Sequence, residues 1–228
     1  TPDGSPVAMV HCNNCTSDLN AWVNIFKEYQ ELLGIPVDMN EVFGKLYNHA
    51  LKGDADCGGL MAYNYISGEP VTGLADGRPL FMRSAKSKFN LANFMRANLY
   101  ASVGVLKIGN DILFNDEKVK VDRITGHGGL FKTPGVGQRI LAAAINSPIS
   151  VMETAGEGGA WGIALLAGYL VNNKSKMNLA DYLDKKVFAG NTGVEIAPTK
   201  EDVEGFNEYI KEYQNCLPVE QEAVKLKK

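Results

Sequence analysis

A glycine-rich stretch, residues 121–134, contains the residue types in this sequence that are best suited to ligand binding. It predicts a short apolar strand, a glycine cluster, and then a helix with Thr133 as its N-cap and Pro134 at its first position. Glycines between a strand end and a helix start let a ligand touch bare backbone. The amides of the following helix N-terminus favour nucleotides and phosphates. The stretch therefore predicts a nucleotide-type site.

A second glycine-rich passage from strand to helix follows over residues 149–162. Its carboxylates Glu153 and Glu157 either border the same site or are ordinary surface groups beside a turn. The first stretch is neither a Walker A loop nor a dinucleotide GxGxxG motif, because Phe131 stands where each motif needs a glycine. Taken alone, such a glycine loop is also typical of a plain structural turn.

The four cysteines offer a second kind of chemistry. Cys12 and Cys15 form a C-x-x-C, which is typical of thiol redox sites when it lies between a strand and a helix. Zinc would need a second pair of ligands, and His49 with Cys57 is the nearest candidate pair. The alternative is that Cys12 and Cys15 are small, reduced, buried thiols. No Ser-His-Asp or Cys-His arrangement can be traced.

Composition limits the classes of function. The chain has 228 residues, a net charge of −3, 45% apolar residues and 21% charged residues, all ordinary for a globular protein. No basic patch indicates nucleic acid as a partner, and no apolar run approaches the roughly 20 residues of a membrane span. The sequence opens at Thr1 without a signal peptide, so we expect a fragment of a cytoplasmic protein.

The elements that must position the glycine stretch follow from hydrophobic spacing and from capping residues. Besides Thr133, the predicted helix N-caps are Thr16 or Ser17, Asp38, Asn90 and Thr199. Alternating helices and strands from residue 90 onward predict an α/β fold with a partly parallel sheet. We expect one domain over residues 1–217 and a charged, frayed tail over 218–228. The predicted strands are 7–12, 60–66, 80–82, 121–126 and 149–152, and the predicted helices are 17–33, 39–51, 91–115, 134–146, 158–172, 178–187 and 200–215.

Four segments, together with their order along the chain, resemble the FGGY family of carbohydrate kinases. Residues 124–151, ITGHGGLFKTPGVGQRILAAAINSPISV, resemble its adenosine-binding motif, and AWGIALLAG at 160–168 resembles its closing ALGAALLAG-type helix. RANLYASVGVL at 96–106 is similar to its RAVLEGVAFGL-type helix. LMAYNYISGEP at 60–70 is similar to its PYLSGERTP-type segment. The combination of these segments is specific for the family. Residues 7–22 also fit the strand and helix that open the family's C-terminal domain, so the resemblance covers most of residues 7–215.

The resemblance implies an RNase H-like lobe of the actin/hexokinase-like ATPase type, a mixed sheet flanked by helices that lacks its first strands. It implies the nucleotide-binding lobe of a xylulokinase- or ribulokinase-like enzyme, which passes the γ-phosphoryl group of ATP, with Mg²⁺ bound through the nucleotide, to a pentulose-type sugar. The catalytic base and the sugar contacts would lie in an N-terminal lobe, so the chain alone would be inactive. The alternative is a non-catalytic actin/Hsp70-like nucleotide-binding or scaffolding module.

The resemblance also implies roles for particular residues. The backbone of Gly128 and Gly129 would pass under adenosine, and the side chains of Leu130 and Phe131 would offer it apolar contact. Lys132 or Thr133 would approach ribose or phosphate. Ser17 and Asn20 would face the phosphates from the first helix start. We predict no metal ligand in the chain, and we expect a homodimer through a free strand edge near Val7. The predicted nucleotide-binding residues are Gly126, Gly128, Gly129, Leu130, Phe131, Lys132, Thr133, Ser17 and Asn20.

Overall fold

Helix α3 (Leu91–Asp111) forms the centre of the fold in a computed structural model that describes residues 1–2, 4–153, 158–173, 176–190 and 193–226. The helix begins where expected, because the Asn90 side chain accepts a hydrogen bond from the Asn93 amide. Fifteen of its 21 residues are buried, since apolar side chains face both sides. It continues into a π-helical turn over Ile112–Asp116.

Other elements surround α3. Four helices and an antiparallel strand pair pack around it. These elements are α1 (Ser17–Leu32), α2 (Met39–Ala50), β1 (Leu60–Tyr63), β2 (Leu80–Arg83), α4 (Val136–Ile145) and α7 (Lys200–Asn215). The predicted caps of two of them are confirmed, because Asp38 accepts from the Asn40 amide and Thr199 from the Asp202 amide.

A small mixed sheet supports the glycine stretch. Its strands are β3 (Ile124–Gly126), β4 (Ile149–Val151) and β5 (Val194–Ile196), in the order β3-β4-β5. β3 and β4 are parallel and joined through α4, whereas β5 pairs antiparallel with β4. The buried amide of Gln138 on α4 donates to the carbonyls of Ile149 and Val194, which ties the helix to both strands. A mixed sheet flanked by helices confirms the predicted α/β fold.

The remaining helices are α5 (Gly158–Asn172), α6 (Leu179–Tyr182), which continues into a π-helical turn over Leu183–Val187, and α8 (Leu217–Ala223). None of the α5 residues is buried. α8 lies in the segment that we expected to fray. It is held there by Glu220, whose buried carboxylate accepts the Arg78 amide at 2.7 Å. The boundary between the domain and the tail at residue 217 stays a prediction.

One predicted strand does not form, and one observed strand was not predicted. Residues 7–12 form no strand: Val7 and Met9 are 71% and 77% exposed, and Val10 packs against Gly109 of α3. The alternating apolar residues find no partner strand there, so the edge that we expected near Val7 does not form. The three-residue strand β5 was not predicted. Glu157 lies outside the described residues.

Candidate functional site

The glycine loop, residues 126–133, lies at the carboxyl end of β3, beside the end of the parallel strand β4. Ligands of open α/β sheets bind outside the carboxyl ends of their strands. Gly126 closes the strand, and a short 3₁₀ turn spans Gly129–Phe131. The chain then reaches α4 at Val136. The loop is therefore placed where the sequence predicted a ligand.

Each glycine of this loop has its own role. Gly126 is buried, and the Phe131 ring covers it so closely that a Cβ would lie 2.5 Å from that ring. Gly128 has φ +107° and ψ −177°, a conformation that only glycine adopts readily. Among the described residues, no atom beyond the chain neighbours lies within 4 Å of the position that a Cβ would take at Gly128 or Gly129. Two consecutive glycines thus leave backbone open to a ligand.

The side chains that follow divide between core and surface. Leu130 is only 8% exposed and belongs to the hydrophobic core, where it lies against Gly137, so it cannot supply the apolar ligand contact that we expected. Phe131 is half-buried against Gly126. Lys132 is exposed, whereas Thr133 is 9% exposed. Lys132 is the better placed of the two to reach a ligand.

The predicted cap of α4 is wrong. Gly135, with φ +78°, precedes the helix in place of Thr133, and no side chain caps the first turn. The buried Thr133 contributes only its carbonyl, which accepts the Val136 amide at 3.4 Å. A left-handed residue turns the chain into the helix here, and glycine adopts that conformation without steric cost.

The second glycine passage meets the first through His127. A Cβ at Gly158, the first residue of α5, would lie 2.8 Å from the His127 Nδ1 atom. The exposed imidazole therefore packs on bare backbone at the helix start. The sequence predicted no role for His127, although a histidine flanked by Gly126 and Gly128 is the signal that could have indicated one.

Ser17 and Asn20 belong to a different part of the packing. Both are exposed at the start of α1, which packs on α2 and α3, whereas the loop packs on α4. The Thr16 side chain does not cap α1. The structure thus does not bring these two residues next to the glycine loop, and their phosphate role stays a prediction.

A buried carboxylate fixes the start of α1. Glu69 is 0% exposed, and its Oε2 accepts the amides of Asn13 and Asn14 at 2.9 and 3.2 Å. The Asn14 Oδ1 in turn accepts the Ile66 amide at 2.9 Å. Sequence reasoning missed this interlock, although Glu69 stands in the SGEP segment that carries part of the family resemblance.

The thiols beside this interlock are poor nucleophiles. Burial raises the pKa of Cys12 to about 11, helped by the negative charges of Glu69 and Cys15. Burial also raises the pKa of Cys15. Redox cysteines need a lowered pKa, which opposes the thiol-redox hypothesis. Within the described ranges there is also no group of three or more His, Cys, Asp or Glu side chains that could hold a metal ion.

We expect Cys12 to resist alkylation at neutral pH. With a pKa near 11, only about a thousandth of the thiol is ionised at pH 8, against about a tenth for an ordinary thiol of pKa 9. Its reaction with iodoacetamide, followed by mass spectrometry, should be about 100-fold slower in the folded chain than in urea. The rate should rise about tenfold per pH unit up to pH 11. Equal rates in both states would contradict the raised pKa.

No helix among the described residues is long and apolar enough to cross a membrane. This finding concerns the helices alone.

The chain resembles known proteins in its family signature and in its structure. The model of the C-terminal domain of the FGGY family of carbohydrate kinases matches residues 1–171. No curated protein sequence matches the chain. Among solved structures, the chain is similar to xylulose kinase from Rhodospirillum rubrum, with a TM-score of 0.64 and 17% identity over 92% of this chain and 40% of that one.

Two further kinases are similar to the chain. Plasmodium falciparum glycerol kinase with ADP has a TM-score of 0.59 and 18% identity over 86% of this chain and 37% of that one. Gluconate kinase from Lactobacillus acidophilus has a TM-score of 0.58 and 19% identity over 76% of this chain and 34% of that one. The chain thus spans 34–40% of the length of these three kinases. Likeness at such low identity shows the fold.

Proposed function

The chain belongs to the FGGY family of carbohydrate kinases, of which it contains the C-terminal domain, and we propose that it binds the adenosine part of ATP at the glycine loop. Kinases of this family are ATP-dependent phosphotransferases that use ATP with a divalent metal. The similar structures have the actin/hexokinase-like ATPase fold. The proposal assigns to this chain the task of holding the nucleotide.

One observation supports the proposal most strongly. The open backbone at Gly128 and Gly129 lies at the carboxyl ends of parallel strands, inside the region that matches the family. A flat adenine ring needs an uncrowded surface, and both glycines offer one. The exposed Lys132 follows three residues after Gly129 and would approach ribose or phosphate. Bound ATP, with Mg²⁺ held through its phosphates, would supply the phosphoryl group.

In this proposal the domain acts by positioning the nucleotide. Phosphoryl transfer needs an in-line approach of the acceptor hydroxyl, and enzymes promote it mainly by orientation and charge stabilisation. The loop would fix the adenosine, so that the γ-phosphoryl group points toward a sugar held elsewhere. We assign no catalytic base to this chain and no metal ligand. Ser17 and Asn20 remain proposed phosphate contacts.

We propose a pentulose as the acceptor. The support is the likeness of the glycine loop to xylulokinase- and ribulokinase-type motifs. The similar solved structures include xylulose, gluconate and glycerol kinases, so likeness of fold does not choose among these acceptors.

Nucleotide binding by the chain tests the proposal. We expect ADP and ATP to raise the melting temperature, because a ligand that binds only the folded state stabilises it by about 2.7 kcal/mol at 100 times its Kd. Adenosine alone should also raise it at millimolar concentration, whereas pyrophosphate should do so less. Cytidine serves as the matched control. A shift with pyrophosphate but none with adenosine would contradict the assignment of this loop to adenosine.

A further inference from the structure

Two parallel strands end side by side, and each is followed by a glycine passage. β3 and β4 are neighbours in the sheet, so their carboxyl ends lie at the same edge. β3 leads into the glycine loop, and the next helix after β4 is α5, which begins at Gly158. Ligands of open α/β sheets bind in the crevice at this edge. The spacing between the loop and the start of α5 therefore bears on the shape of the site.

One side chain of the loop fills the space beside the start of α5. His127 stands between Gly126 and Gly128, and a Cβ at Gly158 would lie 2.8 Å from the His127 Nδ1 atom. The same Cβ would lie 3.1 Å from both Cβ and Cγ of His127. Non-bonded carbon atoms in contact are about 3.5–4.0 Å apart. The histidine thus occupies the room that a side chain at Gly158 would need.

This packing depends on the backbone of the loop as well as on the imidazole rotamer. Rotation about χ1 moves Cγ and Nδ1 of His127 but leaves its Cβ in place, because Cβ is bonded directly to the backbone. A methyl group at Gly158 would therefore press on His127 Cβ, at 3.1 Å, in every rotamer. Relief requires a shift of the loop or of α5, and either shift changes the gap between them. Gly128 and Gly129 follow His127 directly, so a shift of the loop moves them too.

The neighbouring glycines of α5 differ from Gly158. Among the described residues, no atom beyond the chain neighbours and the helix's own backbone lies within 4 Å of the position that a Cβ would take at Gly159 or Gly162. Alanine at Gly159 should thus fit without moving any described residue. Alanine also favours the helical state over glycine, so the helix itself should tolerate either substitution. Gly158 and Gly159 form a matched pair in which only the first contacts His127.

We propose that His127 is a positioning residue for the nucleotide. Its contact with Gly158 sets the gap between the glycine loop and the start of α5, and it thereby fixes the open backbone of Gly128 and Gly129. Backbone that is held in its binding conformation loses less freedom when the ligand binds, so it binds more tightly. This role rests on the proposed function of the loop, and His127 fulfils it through the loop backbone.

Calorimetric titration with ADP tests the role through a set of paired variants. We expect Gly158→Ala to raise the ADP dissociation constant about fivefold, because overpacking against His127 shifts the loop. The matched control Gly159→Ala should leave the constant unchanged. His127→Gly removes the contact and should also raise the constant about fivefold. In the His127→Gly background, Gly158→Ala should have no further effect, since the atoms that it would press on are gone.

Amide chemical shifts of the nucleotide-free chain test the contact without relying on ligand binding. Gly158→Ala should move the amide signals of Gly128 and Gly129, whereas Gly159→Ala should leave them in place. In the His127→Gly background, Gly158→Ala should no longer move them. Loop signals that are unmoved by Gly158→Ala would overturn the proposal, because the loop would then not depend on the contact.

The outcomes separate this role from the proposed function of the loop. If the unsubstituted chain, Gly158→Ala and His127→Gly all bind ADP equally well, His127 is not a positioning residue, and the proposed function stands. Equal weakening by Gly158→Ala and Gly159→Ala would also overturn the role, because Gly159 does not contact His127. If the unsubstituted chain fails to bind ADP, the proposed function is wrong, and the role of His127 is wrong with it.

Discussion

Replacement of Asp202 by alanine is expected to lower the free energy of unfolding by about 3–5 kcal/mol, the cost of removing one partner of a buried ion pair. Asp202 Oδ1 accepts a short hydrogen bond from Arg96 Nη2, and the two side chains are 10% and 4% exposed. Alanine would leave the Arg96 guanidinium charged and buried. Its remaining partners, the Tyr100 hydroxyl and the Gly53 carbonyl, carry no charge.

This carboxylate connects three helices. Besides Arg96 on α3, its Oδ2 accepts Arg139 of α4 at 3.0 Å and the Thr199 hydroxyl at 2.8 Å. α4 follows the glycine loop, so the ion pair also holds the helix on which the loop is built. Loss of Asp202 should therefore loosen the loop as well as the core.

Glu204→Ala is the matched control for Asp202→Ala. Glu204 lies on the same helix and faces Lys200 at 3.6 Å, with side chains 65% and 88% exposed. Such surface pairs contribute about 0–1 kcal/mol. Urea unfolding followed by circular dichroism measures both variants. If both variants lost the same small amount of unfolding free energy, the role assigned to Asp202 would be contradicted.

The same ion pair predicts a dependence on pH. Burial acts to raise the pKa of Asp202, but hydrogen bonds from Thr199, Arg96 and Arg139 outweigh it and hold the pKa below the usual 3.8. A carboxylate with a lowered pKa stabilises the fold above its unfolded pKa, and this stability is lost as pH falls through the folded pKa. The difference in stability between the unsubstituted chain and Asp202→Asn should thus shrink below about pH 4.

Gly128→Ala and Gly129→Ala should both weaken adenine-nucleotide binding, but only the first should lower stability. Gly128 has φ +107°, so a side chain there costs about 1–3 kcal/mol. Gly129 has no positive φ, and no atom of the part of the chain that the structure describes lies within 4 Å of its Cβ position, so alanine should fit there. A methyl group at Gly129 would instead stand where the proposal places the adenosine. Calorimetric titration with ADP should show affinity at least about tenfold lower in each variant.

Gly73→Ala separates strain from binding. Gly73 has φ +72° and open space around its Cβ position, but it lies in the loop before β2. Its variant should lose stability as Gly128→Ala does, and it should retain ADP affinity. If Gly129→Ala binds ADP as well as the unsubstituted chain, the glycine loop is a structural turn and not a nucleotide site.

Helices could be predicted well from the sequence because their signals are local. Asn90, Asp38 and Thr199 cap the helices that they were expected to cap. Strands depend on partners far along the chain, so residues 7–12 looked like a strand and are not one, while the short β5 forms only because β4 lies beside it. The alternation of helices and strands predicted the α/β fold, and the family resemblance added the RNase H-like lobe with its mixed sheet flanked by helices.

The candidate site was predicted in part. The position of the glycine loop after β3 follows from strand and glycine signals, and it is confirmed. Single side chains were harder to assign, because burial is set by tertiary packing. Leu130 lies in the core, and Gly135 replaces Thr133 at the start of α4. The Glu69 interlock joins residues more than 50 positions apart, and spacing along the sequence cannot indicate such a contact.

The central claim is that the glycine loop holds adenosine, and backbone amide chemical shifts measured during an ADP titration test it most directly. We expect the largest changes at the amides of Gly128 and Gly129, with smaller ones at His127 and Lys132. The same titration with adenosine should reproduce the changes at the two glycines. Changes confined to other parts of the chain, with the loop amides unmoved at saturating ADP, would contradict the claim.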